Sequence, residues 1–409
     1  MRRFAFALLA LFVFTIPWEY SLEFGEPIGN VARVAGILTL LATIPAVLAA
    51  GRVRTPGPVD WLTLALFLWY CCTIFWTVNA DATLDRLRGS FQAIMVVWLV
   101  SELAETPRDL RILMHAYVAG AWVLCALTMR EFASAADLTG QARFVAEGQD
   151  PNDAARFLVM GLPLAAQLLD GGRNLAGRIL ALGYLPAGVL GVLLTASRGG
   201  ALAAFLSLAG CAVLLLRRRP RRLRLAAICL PPVIGAMLLA VPRESFERLS
   251  TISEQLQGGD LNQRVNIWIA GWQAFRHAPF IGSGLGTFVS AAGLAPIDTA
   301  HNTALSVGVE GGVISLGLCA VIVACSAAAI WRTSGPATHS VRIGLGTALF
   351  ALLVTTLDAT VENNRTTWFL FALIAAAGRI AAENPAGMAK AFPAPPPPSA
   401  KLAPAEAAA

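Results

Sequence analysis

"HNTALSVGVEGGVISLGLCAVIVACSAAAIWR", residues 301–332, holds a single charged side chain, Glu310, between its opening His301-Asn302 and its closing Arg332. The hydrocarbon core of a bilayer asks a helix for about 17–25 apolar residues, and this run supplies them. Working outward, similar runs recur near 3–18, 30–50, 59–78, 90–104, 111–130, 154–170, 177–196, 200–216, 225–241, 341–361 and 366–382. With 302–330 they predict an all-α polytopic membrane protein of about twelve transmembrane helices. Composition agrees: 56% hydrophobic and 14% charged residues, with a mean hydropathy of +0.65, exclude an ordinary soluble domain.

The charges that remain set the orientation. Counted over alternate loops, 19 of the 31 basic residues fall on one side, including Arg2/Arg3, Arg52/Arg54, Arg108/Arg111 and the cluster "RRRPRRLR" at 217–224. By the positive-inside rule that side is cytoplasmic, and both termini lie on it. The N-terminal run after Met1-Arg2-Arg3 has no small-residue cleavage site and reads as an uncleaved first helix. Residues 1–240 are thus expected to hold helices one to nine, 241–300 a large outward loop, 301–382 helices ten to twelve. The Pro/Ala-rich stretch 383–409 is expected to be a disordered cytoplasmic tail. The net charge of +6 sits between spans as topology signals and gives no patch for nucleic acid. All seven cysteines lie in apolar runs, where they pack as small hydrophobes and suggest neither disulfides nor a metal site.

Inside the outward loop, Val265, Ile267, Trp268, Ile269, Trp272 and Phe275 recur at helical spacing and predict an amphipathic helix lying on the bundle. "IGSGLGTF" (281–288) follows as a Gly-rich loop. It succeeds no strand, so a nucleotide-binding reading fails its context.

Three residues fall on the outer face together. Arg198 sits in "LTASRGG" between the seventh and eighth runs, Arg264 in the long loop, and His301 at the mouth of the tenth run. Arginine grips phosphate or pyrophosphate with two donors at once, and a neutral histidine takes a proton near neutral pH. Each has a plain alternative. A lone interfacial arginine is ordinarily a snorkelling anchor, Arg264 fits a solvated helix face, and His301 or Asn302 fits a helix cap. Their convergence on one face favours chemistry over the plain readings. Glu310, costly in a bilayer by about 2.5–3.5 kcal/mol, should face the interior with a partner, Arg365 or one of the site arginines. Asn152 and Asp153 read first as an N-cap of the sixth run.

The stretches "SRGG", "QRVNIWIAGWQAFRHAPFIGSGLGTF" and "HNTALSVGVEGG", in that order, resemble the O-antigen ligase and polymerase family of bacterial membrane glycosyltransferases, as does "QDPNDAARFLVMGLPLA" from Gln149. The resemblance covers roughly residues 149–315. It implies an enzyme of the bacterial inner membrane whose active site faces the periplasm. The implied donor is a glycan on undecaprenyl pyrophosphate; in the ligase branch the acceptor is a sugar of lipid A-core. His301, Arg198 and Arg264 match the family's functional residues. The arginines would hold the diphosphate and His301 would deprotonate or orient the acceptor, giving direct displacement with inversion. Neither Glu19, Glu23 and Glu26 nor Asp150 and Asp153 form a tight Asp-x-Asp, so no metal and no cofactor are expected. A polymerase or a protein O-oligosaccharyltransferase would use the same donor. A transporter needs ionisable residues deep in several spans, and only Glu310 and Asp358 are read there.

Overall fold

The computed structural model describes residues 1–25, 28–135, 143–171, 174–216, 264–296, 298–333 and 339–392, with 235, 241–242, 244–245 and 247. The described residues are all-α: no named strand occurs among them, only an isolated bridge between Glu23 and Asn30. The long helices are α1 (Arg2–Thr15), α2 (Val31–Ala50), α3 (Pro58–Cys72), α4 (Ala80–Leu103), α5 (Pro107–Ser134), α6 (Pro151–Gly171), α7 (Leu175–Leu194) and α8 (Arg198–Leu216). After the segment 217–263 come α9 (Arg264–His277), α10 (Phe288–Ala292), α11 (Thr303–Arg332), α12 (His339–Thr355), α13 (Arg365–Glu383) and α14 (Pro385–Ala391).

Helix is the only open-chain structure that satisfies every backbone group without water, and the sequence marks several of the starts. The side chains of Asn30, Asn79, Thr106, Asn174 and Asn302 each accept a backbone N–H in the first turn that follows. Among the described residues, eight helical segments are long and apolar enough to cross a membrane by length and composition. The twelve expected are not all recovered. The ninth run, 225–241, lies outside the described residues apart from 235 and 241, as do the tail beyond 392 and much of the outward loop. Helix α4 begins ten residues before its apolar run and spends its first turns on Asp81, Asp85, Arg86 and Arg88; α12 is only 17 residues long.

Helix α13 is the axis of the bundle, with Phe369, Leu373, Ile374 and Ala377 fully buried and α4 and α11 packed along it. At one end, Arg2 and Arg54 share Glu105 at 2.9 Å each, and Arg379 donates to the Ala104 carbonyl at 2.7 Å. This ionic knot ties α1, α4 and α13 together. The opposite end gathers the N-termini of α4, α6, α8, α11 and α13, and there the candidate residues lie.

Candidate functional site

The turn between α7 and α8 is built by Asn152. Its side-chain carbonyl accepts from Ser197 Oγ at 3.0 Å and from Arg143 Nη2 at 2.9 Å, while Arg143 also donates to the Thr195 carbonyl. Ser197 Oγ in turn accepts the Gly200 N–H and caps α8. Arg198 is therefore the first residue of α8, on a turn held from α6. The positive φ of this turn, +47°, falls on Ala196 and not on Gly199 or Gly200. The two glycines serve close approach instead. A methyl group on Gly199 would collide with the Asp358 carboxylate, and one on Gly200 with Ala155.

Asn302 caps α11, accepting the Leu305 N–H at 2.9 Å, and its amide reaches the Leu357 carbonyl at 3.4 Å. Thr303 holds the same segment: its N–H donates to Thr356 O, its hydroxyl to Ala359 O, and the Val361 N–H donates back to that hydroxyl. These bonds carry Asp358 to the mouth of α11. Asp358 is not inside a span, as its run suggested, because α12 stops at Thr355. It lies in the 356–364 connection, 3.6 Å from Arg264 Nη1. Asp358 thus touches both the Arg198 turn and Arg264. Burial raises its pKa, against the opposing pull of Arg264 and Arg156.

His301 precedes the cap with φ +46°; it and Ala196 are the two non-glycine residues at positive φ among those described. Such backbone is uncommon and persists where surrounding contacts enforce it. Its Nε2 lies 3.1 Å from Thr299 Oγ1. Burial, then the charge of Arg264, lowers its pKa to about 4, partly opposed by Asp150. The imidazole is neutral at pH 7. One ring nitrogen of the neutral imidazole therefore carries a lone pair, and the tautomer sets whether Nε2 donates to Thr299 Oγ1 or accepts from it.

The structure brings together His301, Arg198, Arg264 and Asn152, and adds Arg156, which the sequence reading missed. Arg156, ion-paired with Asp153 one helical turn back, also acts electrostatically on Asp358 and His301. A signal was present: Asp150, Asp153 and Arg156 in "QDPNDAAR" recur every three residues on one helix face. The N-cap reading of Asn152 and Asp153 does not hold. Asp150 Oδ1 accepts the N–H groups of both, at 2.8 and 3.2 Å, which frees their side chains for Ser197 and Arg156.

Glu310 stands apart. It is buried, and its carboxylate accepts the Phe288 N–H at 3.4 Å instead of pairing with Arg365, which binds Glu19 and Gln92. Here the Gly-rich loop finds its use. Ser283 and Gly284 donate to the carbonyls of Val309 and Glu310, the Val313 N–H donates to Pro279, and α11 breaks at Gly312 (φ +67°) to allow it. The loop seals a broken helix, as backbone does when buried at membrane depth.

Residues 184–320 match the family model described as O-Antigen ligase. A search of curated proteins found no match. The matched segment contains Arg198, Arg264, His301 and Glu310, whereas Arg156 and Asp358 complete the cluster from either side of it. This likeness over residues 184–320, on an all-α, multi-pass membrane protein, supports O-antigen ligase- or polymerase-type function in general.

Proposed function

On the premise of an O-antigen ligase family domain at residues 184–320, we propose that the protein transfers a glycan from undecaprenyl pyrophosphate to a sugar hydroxyl of lipid A-core. One observation carries the reading: the turn of Arg198, the guanidinium of Arg264 and the neutral His301 converge around Asp358 at one end of the bundle. The acceptor hydroxyl oxygen attacks the anomeric carbon as the bond from that carbon to the phosphate oxygen breaks, and the configuration inverts. The electron pair leaves with undecaprenyl pyrophosphate, and the hydroxyl proton passes to the unprotonated ring nitrogen of His301.

Arg198 and Arg264, with Arg156 behind them, stabilise the charge that builds on the leaving diphosphate and take the part a divalent cation plays elsewhere. The basicity of His301 is depressed before donor binds. A bound diphosphate brings negative charge beside it and strengthens it as a base when a proton must be accepted. The site end faces the periplasm of the inner membrane, with both termini in the cytoplasm. Asn302, Asn152 and Asp153 position these groups, and Glu310 supports the loop beneath them.

Purified protein given labelled donor and EDTA, with either lipid A-core or donor alone, tests this. Labelled lipid A-core formed in EDTA is the expected product. Longer lipid-linked glycan without transfer to core identifies a polymerase, and loss of all transfer in EDTA overturns the metal-free mechanism.

A further inference from the structure

A reaction between two lipid-anchored substrates needs two places for lipid at one end of the bundle. Resting on the transferase reading above, we propose that the cleft between α1, α2 and α4 binds the acceptor, a phosphorylated lipid whose acyl chains lie in a single leaflet. The cleft has two connected parts. The lower is an apolar groove of about 520 Å³, walled by Phe12, Leu40, Met95 and Leu99 and opening sideways past Ile37 and Phe91, each about half exposed. The upper is a polar chamber of about 460 Å³ that includes Arg86, Tyr20 and Asn363. Gln92 and Arg365 line both, so groove and chamber form one continuous site.

Charge selects the head group. Arg365 is already neutralised by Glu19, and Arg88 is paired with Asp85 at 2.8 Å. Arg86 in the chamber and Arg33 at the groove make no side-chain hydrogen bond or ion pair among the described residues. Arg86 acts only at longer range, on buried Glu310 and Glu362, so two guanidinium groups without a direct partner stand by an apolar groove and complement a phosphate above a hydrocarbon chain.

Depth selects the chain. The groove runs from Arg33 to Leu40 along α2 and from Leu84 to Leu99 along α4, roughly 10 and 22 Å at 1.5 Å per residue. That brackets one leaflet of hydrocarbon, about 15 Å, which suits an acyl chain and falls short of a long polyprenyl carrier. Position agrees: Asn363 in the chamber belongs to the 356–364 connection that carries Asp358. A head group seated there has its sugars beside His301, while the donor diphosphate occupies the other arginine cluster.

The test places a benzophenone amino acid at Phe91 of the full-length protein in phosphatidylcholine nanodiscs. These carry radiolabelled lipid A-core, labelled polyprenyl pyrophosphate glycan, or neither. The expected adduct is with lipid A-core, competed by unlabelled lipid A-core. Arg33→Gln with Arg86→Gln should reduce it at least ten-fold and raise the acceptor KM about ten-fold, with donor KM unchanged and wild-type gel-filtration behaviour. Adducts only with the donor or phosphatidylcholine, no adduct at all, or an acceptor adduct indifferent to both arginines would overturn the assignment. Transfer without the acceptor adduct sinks this site alone. The adduct without transfer sinks the reaction and leaves the site standing.

Discussion

His301 sits in a conformation its side chain does not favour, next to an arginine that discourages its protonation. Because its pKa is lowered to about 4, the neutral form persists well below the usual histidine range. If the neutral ring takes the acceptor proton, kcat/KM should stay flat from pH 8 to about 5 and fall as pH approaches 4. The bound diphosphate raises the same pKa, so the acid limb of kcat should lie at higher pH than that of kcat/KM. Initial rates measured from pH 4 to 9 at saturating and limiting donor check both limbs; a kcat/KM limb centred at 6.5 contradicts the assignment. Asp358 makes a second prediction at this scale. It faces the positive charges of both Arg264 and Arg156. Asp358→Asn should lower stability by about 1–3 kcal/mol, the range for a partly buried charge that loses its partner. Donor should raise the melting temperature of this variant by more than that of the wild type, because its diphosphate replaces the missing charge. Differential scanning fluorimetry in detergent, with and without donor, measures this.

The elements were the most legible part of the sequence. A bilayer demands long apolar runs with marked ends, so α2, α3, α5, α7 and α8 follow their runs within a few residues. Helix α9 forms where its spacing placed one, but Val265, Ile269 and Trp272 are exposed and only Ile267 of its predicted apolar positions is buried. What failed was decided by contacts distant in sequence. The run 341–361 stays apolar past the end of α12, and only the bonds from Thr303 stop it at Thr355 and turn Asp358 towards Arg264. Arg156 reads as one charge in a helix until α8 and the 356–364 connection stand beside it. The break in α11 was equally hidden, since "EGGV" is compatible with an unbroken span until the 279–284 loop claims its backbone groups. Gly312→Ala tests that element. The substitution puts a Cβ at φ +67° and against the Phe280 carbonyl, at a cost of about 1–3 kcal/mol. It should displace the Gly-rich loop and cleave faster than wild type in limited proteolysis near 280–287; an unchanged digestion pattern would mean the loop does not depend on the break.

Across the whole molecule, the chain separates two kinds of charge. At one end, salt bridges such as Arg2–Glu105 fasten helices together; at the other, Arg156 and Arg264 gather around Asp153 and Asp358 beside an uncharged histidine. The first arrangement is structural and internally balanced, and the second is poised for an anion. If the site end faces the periplasm, Thr299→Cys in a cysteine-free background should react with an impermeant maleimide in intact cells, whereas a cysteine added after Ala409 reacts only after lysis. The reverse pattern would invert the topology. The central claim is that this one cluster both holds a lipid-linked diphosphate and deprotonates the acceptor, and the His301→Ala variant separates the two. In single-turnover transfer of labelled glycan from undecaprenyl pyrophosphate to lipid A-core, His301→Ala should bind donor within about three-fold of wild type and lose at least 10²-fold in rate, within the span for removal of a general base. Transfer by His301→Ala at the wild-type rate would contradict the account.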